Sequence, residues 1–213
     1  MGIRKYPLVN EQIYHIYAKS IAEYKIFKSN TDFLRMEELL NYYKFEQSIK
    51  FYVYQNLQDK KKLVLSEGLL VEIVAYCIMP THIHLILYQK HDFGISNFME
   101  KILKSYALYF NNKYKRKGPL WAGRFLNVLI KTDEQLLHLT RYIHLNPVTA
   151  YLVERPEDWD FSSYREYIGN KKNNCICKWN DFLEINVEDY KKFVEERKDY
   201  QRELAKIKNL ILE

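Results

Sequence analysis

The chain has 213 residues, 33 Lys+Arg against 27 Asp+Glu for a formal charge of +6, and three cysteines, Cys77, Cys175 and Cys177. That length supports one core of roughly 170 residues with an appendage, and the charge permits a polyanionic partner. Three unevenly placed cysteines exclude a disulfide scaffold, and Cys175-Ile176-Cys177 lacks the second pair of a zinc site. In chain order, Ile13-Tyr14-His15-Ile16-Tyr17 is a β-prone run. Asn30-Thr31-Asp32 supplies a capping residue ahead of Phe33-Leu34-Arg35-Met36-Glu37-Glu38-Leu39-Leu40, whose apolar positions predict a helix. Residues 45–68 stay unassigned, because Ile49, Phe51 and Val53 alternate as on a strand while Lys60-Lys61-Lys62 fits helix or loop.

Leu69 to Ile78, rich in branched side chains, predicts a strand that meets the Met79-Pro80 break, and His82 to Tyr88 predicts its partner. From about Ile95 to Lys115 the residues Phe98, Ile102, Leu103, Tyr106, Tyr109 and Phe110 recur at three and four, and Gly118-Pro119 closes the helix. Arg124 to Lys131 reads as a strand. Thr132-Asp133-Glu134-Gln135 is then a capping box that opens a helix carrying Leu136, Leu137, Leu139, Tyr142 and Ile143, with its approximate end set by Pro147.

Strand, helix, strand, strand, helix, strand, with one more helix after it, predicts an α+β fold. The order is that of a ferredoxin-like split βαβ antiparallel sheet with helices packed on it. Residues 1–170 form the expected domain and residues 171–213 a C-terminal extension. Within the extension, Tyr190, Phe193, Val194, Leu204, Ile207 and Leu210 predict an amphipathic helix from about Asn186 to Leu212. No stretch approaches the ~20 apolar residues of a membrane span, and Met1 to Tyr6 lack the apolar core of a signal peptide, so a cytoplasmic protein without a membrane partner is expected.

Two short motifs carry chemistry. In Met79-Pro80-Thr81-His82-Ile83-His84-Leu85 two imidazoles stand two residues apart, so on a strand they share a face and can offer nitrogen ligands to one metal ion. In Arg141-Tyr142-Ile143-His144-Leu145-Asn146-Pro147 a phenol and an amide stand four apart, which places Tyr142 and Asn146 on one helical stripe with His138 a turn earlier. Taken singly, both motifs also fit structural roles: satisfied strand histidines in the first, a core tyrosine and a terminal asparagine in the second.

Together, Pro80-Thr81-His82-Ile83-His84-Leu85 and Tyr142-Ile143-x-x-Asn146-Pro147 resemble the single-tyrosine HUH transposases, in particular the branch of REP-associated tyrosine transposases. Gly118-Pro119-Leu120-Trp121-x-Gly123-Arg124-Phe125 and Trp159-x-Phe161-Ser162-Ser163-Tyr164 extend the likeness over about Gln12 to Gly169. The resemblance implies an enzyme that nicks and rejoins single-stranded or hairpin DNA through a covalent 5′-phosphotyrosine. It implies His82 and His84 as metal ligands, Tyr142 as nucleophile and Asn146 as third ligand, with His138 the alternative contact to metal or phosphate. The expected cofactor is magnesium or manganese, and the expected state is monomer or homodimer.

The chemistry asks for these groups. A free tyrosine has a pKa near 10, so forming the phenolate at neutral pH costs roughly 4 kcal/mol. A cation bound by neutral ligands keeps its full charge and can offset that cost while polarising a phosphate. Lys113, Lys115, Arg116, Lys117 and Arg124, interleaved with aromatic residues, are the expected DNA contacts, cations meeting phosphates while bases stack on rings. A non-catalytic nucleic-acid-binding module of the same fold, and a hydrolase that activates water at the histidine pair, are the rival readings.

Overall fold

In the computed structural model, which describes residues 7–56, 66–171 and 174–198, the chain order is β1 (Ile13–Lys19), α1 (Asn30–Tyr43), β2 (Phe45–Gln47), α2 (Phe51–Gln55), β3 (Ser66–Leu69), β4 (Val71–Met79), β5 (His82–Gln89), α3 (Gly94–Lys113), β6 (Leu126–Ile130), α4 (Asp133–Thr149), α5 (Tyr164–Tyr167) and α6 (Val187–Glu195). The main sheet has the order β4-β5-β1-β6 with every neighbour antiparallel. With α1 after β1 and α3 between β5 and β6, this is the ferredoxin-like arrangement that the order of elements predicts. β2 and β3 form a separate two-stranded sheet.

Alternation along β1 divides the molecule into two layers. Tyr14, Ile16 and Ala18 are buried against α1 and α3, while His15 and Tyr17 project from the opposite face. On β4 the register slips between Ile73 and Ala75, so Ile73, Tyr76 and Ile78 join the α1/α3 core while Val74, Ala75, Cys77 and Met79 join the core under α4. A strand covered on both faces has no polar side to display, which is why Leu69 to Ile78 is apolar almost throughout.

Local chemistry fixes the helices. Asp32, fully buried, accepts from the backbone N–H of Ser29 at 3.0 Å and of Lys28 at 2.9 Å, anchoring the first turn of α1. Burial alone would raise its pKa, but hydrogen bonds from Lys113, Tyr114, the Lys28 N–H and Tyr109 outweigh it and hold the carboxyl at about 2. α3 starts so close to β4 that a Cβ on Gly94 would lie 2.3 Å from the Leu70 carbonyl oxygen, so only glycine fits. At α4, Thr132 Oγ1 accepts from the Gln135 N–H at 3.1 Å, as the capping box predicts.

Three segments add detail to the reading from sequence. Phe51 to Gln55 is helical although Ile49, Phe51 and Val53 alternate; a single five-residue turn packs Phe51 onto Tyr42 and Tyr43, and so few residues carry too little periodicity to read. α4 also continues through Pro147 to Thr149. A proline in the last turn forfeits one N–H, and the Pro147 carbonyl is still used, accepting from Leu152 at 2.9 Å. The predicted C-terminal helix is observed as α6 from Val187 to Glu195, where Tyr190 and Val194 are buried; Leu204, Ile207 and Leu210 lie outside the described residues.

α4 is held to the sheet by Leu136, Ile143, Leu145 and the fully buried His144. Each such aliphatic side chain contributes about 1.5–3 kcal/mol on burial. His144 spans two partners, Tyr190 Oη at 2.6 Å on Nδ1 and Ser163 Oγ at 2.7 Å on Nε2, while Ser163 Oγ also receives the Tyr76 N–H at 2.9 Å. Burial lowers its pKa to about 3. Because the unfolded chain takes up a proton near pH 6.5 and the folded chain does not, this contribution is intact above that pH and is lost as the pH falls towards 3. The His144 contribution alone is expected to fall by about 2 kcal/mol between neutrality and about pH 5, in addition to that of the other buried histidines, and is read as the part of the shift in denaturant midpoint that His144→Gln removes. An equal shift in His144→Gln and the unaltered protein would contradict the neutral, buried assignment.

Candidate active site

On the face of the sheet away from α1 and α3, α4 covers the β4 side and leaves the β5-β1-β6 side open. The result is a trough of about 470 Å³ lined by His15, Tyr17, His82, His84, Leu126, Val128, Tyr142 and Asn146. Its floor is set by strand pairing. Tyr17 lies opposite His84, and Lys19 opposite His82. The β4–β5 turn is pinned from outside, the Pro80 carbonyl accepting from Ile26 and Phe27 and the Thr81 carbonyl from Ser20 at 2.8 Å, so His82 starts its strand at a fixed place.

The wall is α4. Ile143, His144 and Leu145 turn into the core, which sends Tyr142 and Asn146, one turn apart, over the trough. Tyr142 is 41% exposed and meets His84 edge-on, with ring centroids 5.8 Å apart. The edge strand β6 completes the rim with exposed Leu126 and Val128. His82, His84, Tyr142 and Asn146, named from two distant motifs, therefore share one cavity.

The imidazoles are prepared to act as neutral donors. Burial, followed by the nearby Lys19 ammonium, lowers the pKa of His82 to about 4. Burial, then the proximity of His82 and His15, lowers His84 to about 2, and burial lowers His15 to about 4. At neutral pH all three rings are uncharged, with one lone pair each. Thr81 Oγ1 engages His82 Nδ1 at 2.9 Å and His15 Nε2 engages His84 Nδ1 at 3.0 Å, so on both rings Nε2 is the nitrogen left for a ligand. The Tyr17 phenol is shifted upwards by burial, then by Tyr142 and Glu23.

Among the described residues no group of three or more His, Cys, Asp or Glu side chains is placed to hold a metal ion. A divalent cation bound by His82 and His84 would draw its third donor from the Asn146 amide. That amide fits the part, because Asn146 Nδ2 is buried without a hydrogen-bond partner, and the two ends of an amide exchange by a simple flip. By donor chemistry, two imidazoles with an amide oxygen and open positions would suit manganese better than magnesium, which prefers oxygen ligands.

His138 is not brought to the trough. It shares the stripe of Tyr142, yet its Nδ1 accepts from Arg141 Nη2 at 2.7 Å and its ring packs on Phe193, so the α6 contact claims it. The same Arg141 stacks on Phe193, its guanidinium carbon 3.8 Å from the ring centroid. Of the basic residues, Lys113 is bound to Asp32 at 2.6 Å and to Ser29, Thr31 and Tyr109. Arg116 holds its own loop by donating to the Gly118 and Pro119 carbonyls. Lys115, Lys117 and Arg124 are exposed.

His15 and Tyr17 were not singled out from sequence. Their parity along β1 places them on one face, but only the pairing of β1 with β5 brings them beside His84.

Residues 63–146 match the family described as Transposase IS200 like. A curated protein of Haemophilus influenzae that bears the name REP-associated tyrosine transposase is 33% identical over 103 residues, 44% of this chain and 58% of that protein. The match thus spans little more than half the relative's length. A solved structure of a REP-associated tyrosine transposase bound to a REP hairpin aligns with a TM-score of 0.55 at 17% identity, covering 88% of this chain and 93% of that one, and it shares the fold. The resemblance read from the motifs is borne out. Among the described residues no helix is long and apolar enough to cross a membrane.

Proposed function

We propose that this chain, as a relative of the IS200-like and REP-associated tyrosine transposases, cleaves and rejoins single-stranded DNA at a hairpin-flanked site through a covalent 5′-phosphotyrosine on Tyr142. The observation that carries this reading is the convergence of His82, His84 and Asn146 on the trough beneath Tyr142. His82, His84 and Asn146 would hold a magnesium or manganese ion, whose charge would supply polarisation of the scissile phosphate and offset the negative charge of the transition state.

The chain's own part is positioning and nucleophilic attack. The Tyr142 hydroxyl gives up its proton as its oxygen bonds to phosphorus, the P–O3′ bond breaks, and the departing 3′ oxygen takes up a proton as a free hydroxyl, so that no net proton is gained or lost. The bond order at phosphorus is conserved, so a second 3′ hydroxyl can reverse the step onto a new strand without ATP. Tyr17 and Tyr142, half-exposed at the rim, offer rings on which unpaired bases stack, and Lys115, Lys117 and Arg124 offer exposed cations for phosphates.

Incubation of the protein with single-stranded hairpin DNA and manganese tests the reading. A protein–DNA adduct that survives denaturation is the expected result. Cleaved ends without an adduct would instead identify a water-activating hydrolase, and binding without cleavage a recognition module.

A further inference from the structure

His15 lies outside both chemical motifs, yet its Nε2 stands 3.0 Å from His84 Nδ1, and the two rings lie side by side with centroids 5.2 Å apart and 14° between planes, the near-coplanar geometry of an N–H···N hydrogen bond. One of the two nitrogens must carry the hydrogen. On His82 the corresponding Nδ1 is engaged by Thr81 Oγ1 at 2.9 Å. The two strand histidines are thus built alike, with Nδ1 tied down and Nε2 left for a ligand, on rings that line the trough with Tyr142 and Asn146.

We infer that His15 is a positioning residue that accepts the Nδ1 hydrogen of His84, thereby fixing the His84 ring and directing its Nε2 lone pair into the trough. The inference deepens the proposed function and rests on its assignment of His84 as a ligand. An imidazole in water prefers no such orientation, so a partner on the second nitrogen must supply it. His15 suits the task because its own second nitrogen can take the hydrogen it does not need at Nε2. The near-coplanar hydrogen bond restrains rotation of the His84 ring, and Tyr17, 4.7 Å from His84 between centroids, packs beside it.

The tautomer can be read directly. In the metal-free, ¹⁵N-labelled protein at neutral pH, a two-bond ¹H–¹⁵N correlation spectrum, assigned by single histidine substitutions, should show the His84 hydrogen on Nδ1. A His84 hydrogen on Nε2 would overturn the inference, since His15 would then be the donor and the lone pair would point away from the trough. In manganese titrations followed by electron paramagnetic resonance, His15→Leu should weaken binding about 10–100-fold, the range for loss of such a supporting partner. His15→Gln, whose amide oxygen can accept the same hydrogen, should recover most of the affinity. Wild-type affinity in His15→Leu would also overturn the inference, and if that variant does not fold, the wild-type spectrum still decides. Neither readout involves DNA, so a protein with the expected tautomer and no adduct loses the tyrosine reading alone.

Discussion

Tyr142→Phe is expected to abolish the covalent DNA adduct while leaving fold and DNA binding in place. The substitution removes one oxygen from a ring that is 41% exposed at the trough's rim, and the edge contact of that ring with His84 survives. Surface changes of this kind usually alter stability by no more than about 0.5 kcal/mol. The effect on chemistry is of another order, because loss of a covalent nucleophile commonly costs about 10⁴-fold or more. Denaturing gels with labelled hairpin DNA should show no shifted band, whereas a binding assay should give an affinity near that of the unaltered protein. An adduct that persisted in Tyr142→Phe would move the nucleophile to Tyr17, the other phenol lining the trough, and Tyr17→Phe would then be the variant that loses it.

The parts of this molecule that could be read from sequence are those whose information is local. Tyr142 and Asn146 follow from helical spacing, His82 and His84 from strand alternation, and the βαββαβ order from apolar periodicity and from caps such as Thr132 with Gln135. What stayed hidden depends on pairing. His15 enters the site only because β1 lies between β5 and β6, and Lys113 is engaged only because α3 brings its ammonium to the buried carboxylate of Asp32. His138 shows the converse limit. Its helical stripe is that of Tyr142, but a rotamer directed at Arg141 and Phe193 takes the ring to α6, and spacing carries no information about that choice.

His84→Ala and His82→Ala form the second large prediction, and their value lies in the comparison. Both remove one neutral imidazole from the proposed ligand set, so both should reduce manganese binding and adduct formation by about 10³-fold or more, and to a similar degree. Their costs in stability should differ. His84 is buried, hydrogen-bonded to His15 and packed against Tyr17 and Tyr142, so its removal leaves a cavity and strands a buried nitrogen of His15. That combination costs about 2–4 kcal/mol. His82 is only partly buried at the start of β5, touching Tyr17 and His84, and its side-chain partner is the hydroxyl of neighbouring Thr81, so water can replace part of what is lost and the cost should be smaller, about 1–2 kcal/mol. Denaturant titration gives one axis of this comparison and manganese-dependent adduct formation the other. If activity instead followed stability, with His82→Ala largely active and His84→Ala inactive, the two histidines would not be equivalent ligands and the pair would have to be read as one structural and one functional residue.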